Sequence, residues 1–236
     1  MTTTTAHSPD APGILVATQV SELWWTLIAE ELRTAQEQLR ADNPSGATQT
    51  LGRVVVHFEP LNATWRSIAT TSPKDLFGTA TFDSWRYHYT LYVLGGAQAE
   101  HLRSLASSRH WPQISSALAK PTVYDDVLAY FNRIGMRVPE HVLERDPSVP
   151  YVPSLEVEQI WREIYEDPYP DATLQQLGET LMDTATALTD WKCRCLMTMR
   201  RTIVERPTSI SDTSEISFPE LWSARRCVTG PFDVQT

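Results

Sequence analysis

Residues 174–199 read LQQLGETLMDTATALTDWKCRCLMTM. Leu174, Leu177, Leu181, Leu188, Trp191, Cys195 and Met199 recur at intervals of three, four and seven. Those intervals place them on one face of an α-helix, which the pattern extends from Thr173 to about Val204. No stretch of the chain shows the strict apolar–polar alternation of a half-buried strand. The fold class is therefore all-α, a single helical bundle, and its last long helix carries an unusual side chain on its apolar seam. Cys195 lies seven residues after Leu188 and four before Met199, whereas Cys193 points elsewhere.

Working outward, the same periodicity gives about seven helices. The first spans about Ile14 to Arg40, with Val16, Val20, Leu23, Leu27 and Leu32 as its apolar positions. Ala41-Asp42-Asn43-Pro44-Ser45-Gly46 breaks the chain before a second helix over about Ala47 to Ala69, in which Pro60 should introduce a kink or leave a carbonyl unpaired. A third is predicted over Ser84 to Ser107, crowded with Trp85, Tyr87, Tyr89 and Tyr92. A short one follows near Gln113–Leu118. Thr122 caps another over Val123 to Ile134, closed by Gly135. Pro139, Pro147, Pro150 and Pro153 mark a loop, after which Ser154 caps a helix through about Glu166. The chain divides into an N-terminal tail (1–13), one helical domain (14–224) and a C-terminal tail (225–236). Within the last part of that domain, Phe218-Pro219-Glu220-Leu221-Trp222 is an apolar island.

Composition narrows the function. The chain has 236 residues, enough for a sizeable core without disulfide staples. Twenty basic against 29 acidic residues leave a net charge of −9, a poor match for nucleic acid or an anionic membrane surface. Nine glycines are about half the usual ~7%, which favours helices over a meander of short strands. No apolar run approaches the ~18 residues of a membrane span, and the polar start lacks a secretory signal, so the expected location is cytoplasmic. Three cysteines, all late in the chain, do not make a disulfide framework.

The usual catalytic signatures are missing. There is no G-x-G-x-x-G, P-loop, G-x-S-x-G, H-E-x-x-H or E-x-x-H. The six histidines form no ligand pattern. Eight tryptophans are first of all ordinary core packing, and the count is also compatible with a flat aromatic substrate or a haem. Cys195 has two readings, a small core residue or a thiolate ligand. Lys192, Arg194, Arg200 and Arg201 flank it and would lower a thiol pKa or meet propionates.

A series of local strings, in order, resembles tryptophan 2,3-dioxygenase. Thr18-Gln19-Val20-Ser21-Glu22-Leu23-Trp24 stands where that family reads H-Q-x-S-E-L-W. Trp65 precedes Thr71-Ser72-Pro73 as the family's Trp precedes Leu-Thr-Pro. Thr81-Phe82-Asp83-Ser84-Trp85-Arg86-Tyr87-His88 matches G-F-Q-S-x-Q-Y-R. Pro121-Thr122-Val123-Tyr124-Asp125 matches P-S-x-Y-D/E. Leu177-Gly178-Glu179-Thr180-Leu181-Met182-Asp183 matches L-G-E-x-L-x-D. Trp191-Lys192-Cys193-Arg194-Cys195 matches W-R-F-R-H, and Phe218 to Trp222 matches F-P-E-L-W. The resemblance spans about residues 14 to 224 and implies an all-helical, tetrameric haem enzyme.

The departures fall on the family's working residues. Its axial histidine is Cys195 here, and its distal histidine is Thr18. The segment holding its substrate-carboxylate arginine is shortened between Leu76 and Thr81, and its Gly-rich loop is replaced by Pro207-Thr208-Ser209-Ile210-Ser211. The resemblance therefore implies haem b held by Cys195, with Trp65, Phe82, Ser84, Trp85, His88 and Trp191 around it and Thr18 on the distal side. The implied chemistry is oxidation of an aromatic, indole- or tryptophan-derived molecule with oxygen or peroxide, in a biosynthetic pathway. The expected assembly is a homodimer or homotetramer. A haem-free binding protein or pathway partner is the competing reading, and haem held through His88 or Met199 is a third.

Overall fold

The computed structural model describes residues 11–68, 84–95, 99–167, 171–200 and 217–228. All regular structure among them is helical. The segments are α1 (Ala11–Arg40), α2 (Pro44–Ile68), α3 (Trp85–Val93), α4 (Ala99–Ser104), α5 (Trp111–Leu118), α6 (Val123–Arg133), α7 (Glu140–Leu143), α8 (Leu155–Glu166), α9 (Ala172–Arg200) and α10 (Pro219–Val228). The all-α expectation stands. The count differs because one predicted helix is broken and two short elements were read as loop.

The centre is a layer of three long helices in which α2 packs against both α1 and α9. The reason is visible in α2. Ala47, Leu51, Val54, Phe58, Leu61 and Trp65 alternate at four and three residues, and all are buried. Pro60 sits inside α2 without ending it. The face beside it is locked into the core on both sides, which offsets the lost backbone bond.

The seam predicted for α1 is corrected. Val16, Leu23 and Leu27 are exposed, Leu23 at 70%. Of the predicted seam Leu32 is buried, and the buried face otherwise carries Ile14, Ala17, Trp25, Ile28, Ala35 and Leu39. Both stripes have helical spacing, so periodicity alone could not choose between them. Trp25 decides it, because its ring fills the centre of the bundle.

The third predicted helix is also corrected. It stops at Val93, and Gly95 follows with φ +108°, a left-handed conformation that favours glycine. Its Cα also lies close to the start of α6, where an added Cβ would sit 3.4 Å from Tyr124 Cβ. The predicted caps hold. Thr122 accepts from the Asp125 amide while the Asp125 carboxylate accepts from the Thr122 amide, and the Ser154 hydroxyl accepts from the Val157 amide.

The outer helices are tied by buried polar contacts. Gln36 and Arg40 of α1 both donate to Asp126 of α6, at 2.7–2.8 Å. The apolar island becomes α10, seated on α8 with Phe218 and Leu221 buried. Glu220 enters the same core, where its carboxylate accepts from the hydroxyls of Tyr124 and Tyr151 and from the Ser154 amide.

At Gly178 α9 passes close to α8 and α10. A Cβ there would meet Tyr165 Oη at 2.7 Å, Trp161 Cζ3 at 3.0 Å and Leu221 Cδ1 at 3.3 Å. Trp161 is fully buried and cannot yield. Alanine would add about 1 kcal/mol of helix propensity but cost about 1–3 kcal/mol in overpacking. Gly178→Ala is therefore expected to lower the midpoint of chemical denaturation, and a raised midpoint would contradict the close contact.

Candidate functional site

Thr18, Ser21, Glu22 and Trp25 fall at positions i, i+3, i+4 and i+7, so they form one strip along α1. Opposite them stand Trp65 from α2, Ser84 and Tyr87 at the start of α3, and Trp191 from α9. These side chains enclose a cavity of about 10 Å³, the space of about one water molecule. The walls are rings in contact. Trp191 meets Trp25 edge-on at 4.8 Å between centroids, Tyr87 at 4.8 Å and Trp65 at 6.1 Å, and Trp25 lies 5.5 Å from Tyr87. Offset and edge-on arrangements are those that the ring quadrupoles favour.

Cys195 is one helical turn beyond Trp191 on α9 and wholly buried. Burial pushes its thiol well above the ordinary range, opposed by a backbone hydrogen bond. In the free protein burial therefore outweighs the flanking bases that the sequence placed beside this cysteine. Arg194 lies on the exposed side of α9, and the thiol goes up rather than down.

The structure brings together Thr18, Trp65, Ser84 and Trp191 of the residues singled out from sequence. It places two others elsewhere. The ring of Trp85 is half-buried and does not line the cavity, stacked on His110 at 4.8 Å and edge-on to Tyr89 at 6.0 Å, with the Arg86 guanidinium 4.8 Å over it. His88 is buried against Tyr87, with ring centroids 4.8 Å apart, and does not line the cavity. Phe82 lies outside the described residues, as does the 207–211 segment. The side chain of Met199, the other alternative ligand, is likewise not described.

Sequence reading missed Ser21, Glu22, Trp25 and Tyr87. For the three on α1 the signal was the helical spacing from Thr18, obscured by Trp24 in the motif; Tyr87, on α3, had no such signal. Trp24 is only half-buried and packs on His57 at 5.6 Å.

Polar groups line the rim of the cage. The Thr18 hydroxyl donates to the Ile14 carbonyl at 2.9 Å, so in this rotamer its proton is committed to the helix backbone. The Glu22 carboxylate accepts from Arg86 Nη1 at 2.7 Å through Oε2. The indole N–H of Trp191 and the Thr90 hydroxyl are buried without a hydrogen-bond partner among the described residues.

The three central helices thus converge on an aromatic cluster one turn from a buried thiol. Comparison with known proteins makes the assignment specific. No family model matches the chain. It is 32% identical to the tryptophan 2,3-dioxygenase of Ralstonia pickettii over 93% of its own length and 86% of that protein's. It is 34% identical to the tryptophan 2,3-dioxygenase of a Polaromonas species, covering 82% of that protein. The corresponding enzyme of Caulobacter vibrioides is 32% identical, with 87% covered. The chain belongs to the tryptophan 2,3-dioxygenase family.

The haem implied by that membership meets a fitting donor set. A metal ion deprotonates a coordinating thiol outright, so a raised thiol pKa does not bar Cys195. The unpartnered Trp191 N–H gives the cage a polar atom to offer. The cage rings touch, so a planar group enters only as they part.

The two described thiols differ sharply, since Cys193 is exposed and Cys195 buried. Brief iodoacetamide treatment near pH 8 should label Cys193 in the native protein and spare Cys195 until denaturant is added. Peptide mass spectrometry reads both positions, and equal native labelling would contradict the burial.

Proposed function

We propose that this protein is a haem-dependent oxidoreductase that acts on an aromatic small molecule, with Cys195 as the protein ligand to the iron. The observation that carries the reading is the position of Cys195. It is buried on α9 one turn from the cage, at the place of the family's axial histidine. Bound haem b would supply activation of oxygen or peroxide, and a thiolate ligand favours O–O bond cleavage, the chemistry of a monooxygenase or peroxygenase.

The chain's own residues have separable tasks. Cys195 holds the iron and gives up its proton on doing so. Trp25, Trp65, Tyr87 and Trp191 exclude water and offer faces and edges to an aromatic substrate. Thr18 stands at the cavity with its hydroxyl proton on the Ile14 carbonyl. A hydroxyl held this way is no strong base, unlike the histidine that the family places there. His88, buried behind Tyr87, supports the wall.

Membership in a dioxygenase family together with these replacements supports altered oxidation chemistry, as in a biosynthetic pathway, rather than ordinary tryptophan cleavage. The exposed stripe of Val16, Leu23 and Leu27 supports assembly into a homodimer or homotetramer. A cytoplasmic location remains part of the proposal. Among the described residues, no helix is long and apolar enough to cross a membrane.

One observation favours a second reading. The closed cage and the neutral thiol also suit a haem-free binding protein or pathway partner. The spectrum of the ferrous–CO complex after reconstitution with hemin separates the two. A strongly red-shifted Soret band that disappears in Cys195→Ala supports the thiolate enzyme. An ordinary band, unchanged in Cys195→Ala, overturns the ligand assignment. No band favours the binding protein.

A further inference from the structure

Trp191 is 5% exposed, and its indole N–H is buried without a hydrogen-bond partner among the described residues. A buried donor left unpaired has lost its bonds to water without replacement, so it marks a place where an acceptor is missing. The ring is held in place by Trp25 and Tyr87, each at 4.8 Å between centroids, and by Trp65 at 6.1 Å. Cys195 stands four residues further along the unbroken α9. Side chains at that spacing are neighbours on a helix surface, with about 5–6 Å between their Cβ atoms. Helical side chains lean toward the N-terminus, so the Cys195 sulfur leans toward the turn that carries Trp191. As a thiol the pair is mismatched. An indole N–H only donates, and a neutral thiol is itself a donor and a weak acceptor. A metal-bound cysteine sulfur is negatively charged, and hydrogen bonds to a charged acceptor are about twice as strong as neutral ones. Both residues are buried, where water does not compete for either group.

We infer that the Trp191 indole N–H donates a hydrogen bond to the Cys195 sulfur once that sulfur holds the iron. Trp191 is then a positioning residue that acts through the ligand: it orients the sulfur and draws charge out of it. Hydrogen bonds to a ligating sulfur weaken its donation to the metal and raise the reduction potential. The same bond satisfies the orphaned donor, so it favours the metal-bound state over the free thiol. This inference deepens the reading of Cys195 as the protein ligand and rests on it.

The test compares the haem-reconstituted chain with Trp191→Phe and with a chain carrying benzothienylalanine at position 191. Benzothienylalanine keeps the shape of tryptophan and lacks the N–H, so a purely structural role of Trp191 would leave that chain unchanged. Both altered chains are expected to keep the red-shifted ferrous–CO Soret band. The Fe–S stretching frequency in the ferric resonance Raman spectrum should rise in both. The ferric/ferrous equilibrium should move about tenfold toward ferric, which is about 59 mV for one electron. An unchanged Fe–S frequency and potential in the benzothienylalanine chain overturn the inference. So does an effect confined to CO affinity, which would aim the N–H at the cavity and not at the sulfur. A wild-type chain without a red-shifted band overturns the ligand reading and this inference with it. The Soret position reports the first failure and the Fe–S frequency the second, so the two are distinguishable.

Discussion

The contact of Trp191 with Trp25, Tyr87 and Trp65 is the interaction on which the rest of the structure turns. It joins the three central helices and the start of α3 at one point, 4.8–6.1 Å between ring centroids. Large rings in edge-on contact bury much apolar area and leave few alternative rotamers. The rotation of α1 follows, because Trp25 must face α9 and so Val16, Leu23 and Leu27 must face away. The placement of Cys195 follows too, since four residues past Trp191 on one helix brings its thiol to the same face.

A second constraint operates at the far end of the bundle. Glu220 is 2% exposed and has no cationic partner among its hydrogen bonds. Two tyrosine hydroxyls and the Ser154 amide satisfy it instead, and Trp161 Nε1 donates in turn to the Tyr124 hydroxyl at 3.1 Å. Burial and the neighbouring carboxylate hold the Tyr124 and Tyr151 hydroxyls protonated well past their usual range, so they remain donors. This network fastens α10 to α6, to the loop before α8 and to the α8 cap. It explains why an apolar island isolated in sequence is an integral part of the core.

The site is built on the rigid part of the fold. Thr18, Glu22 and Trp25 ride on α1, Trp65 on α2, and Trp191 with Cys195 on α9. Helices held in a packed layer fix side chains more tightly than loops do. Exchange of single residues on such helices can therefore change the chemistry and leave the architecture in place. The replacements that the family resemblance implies at Thr18 and Cys195 would have that character, for each stands on an unbroken helix.

The sequence by itself determined the helical class, most of the helices and the caps at Thr122 and Ser154. These are local properties. Periodicity, capping chemistry and motif order need no knowledge of what packs on what. Tertiary structure decided which of two apolar stripes on α1 is buried, that Pro60 is carried within α2, and that Gly95 ends α3. It also decided that Trp85 and His88 stand outside the cage while Glu22, Trp25 and Tyr87 stand in it. Each of those depends on rings and backbone contributed by helices distant in the chain. A single helix with apolar residues on two faces, or a tryptophan beside another tryptophan, carries no record of which one the rest of the molecule will meet.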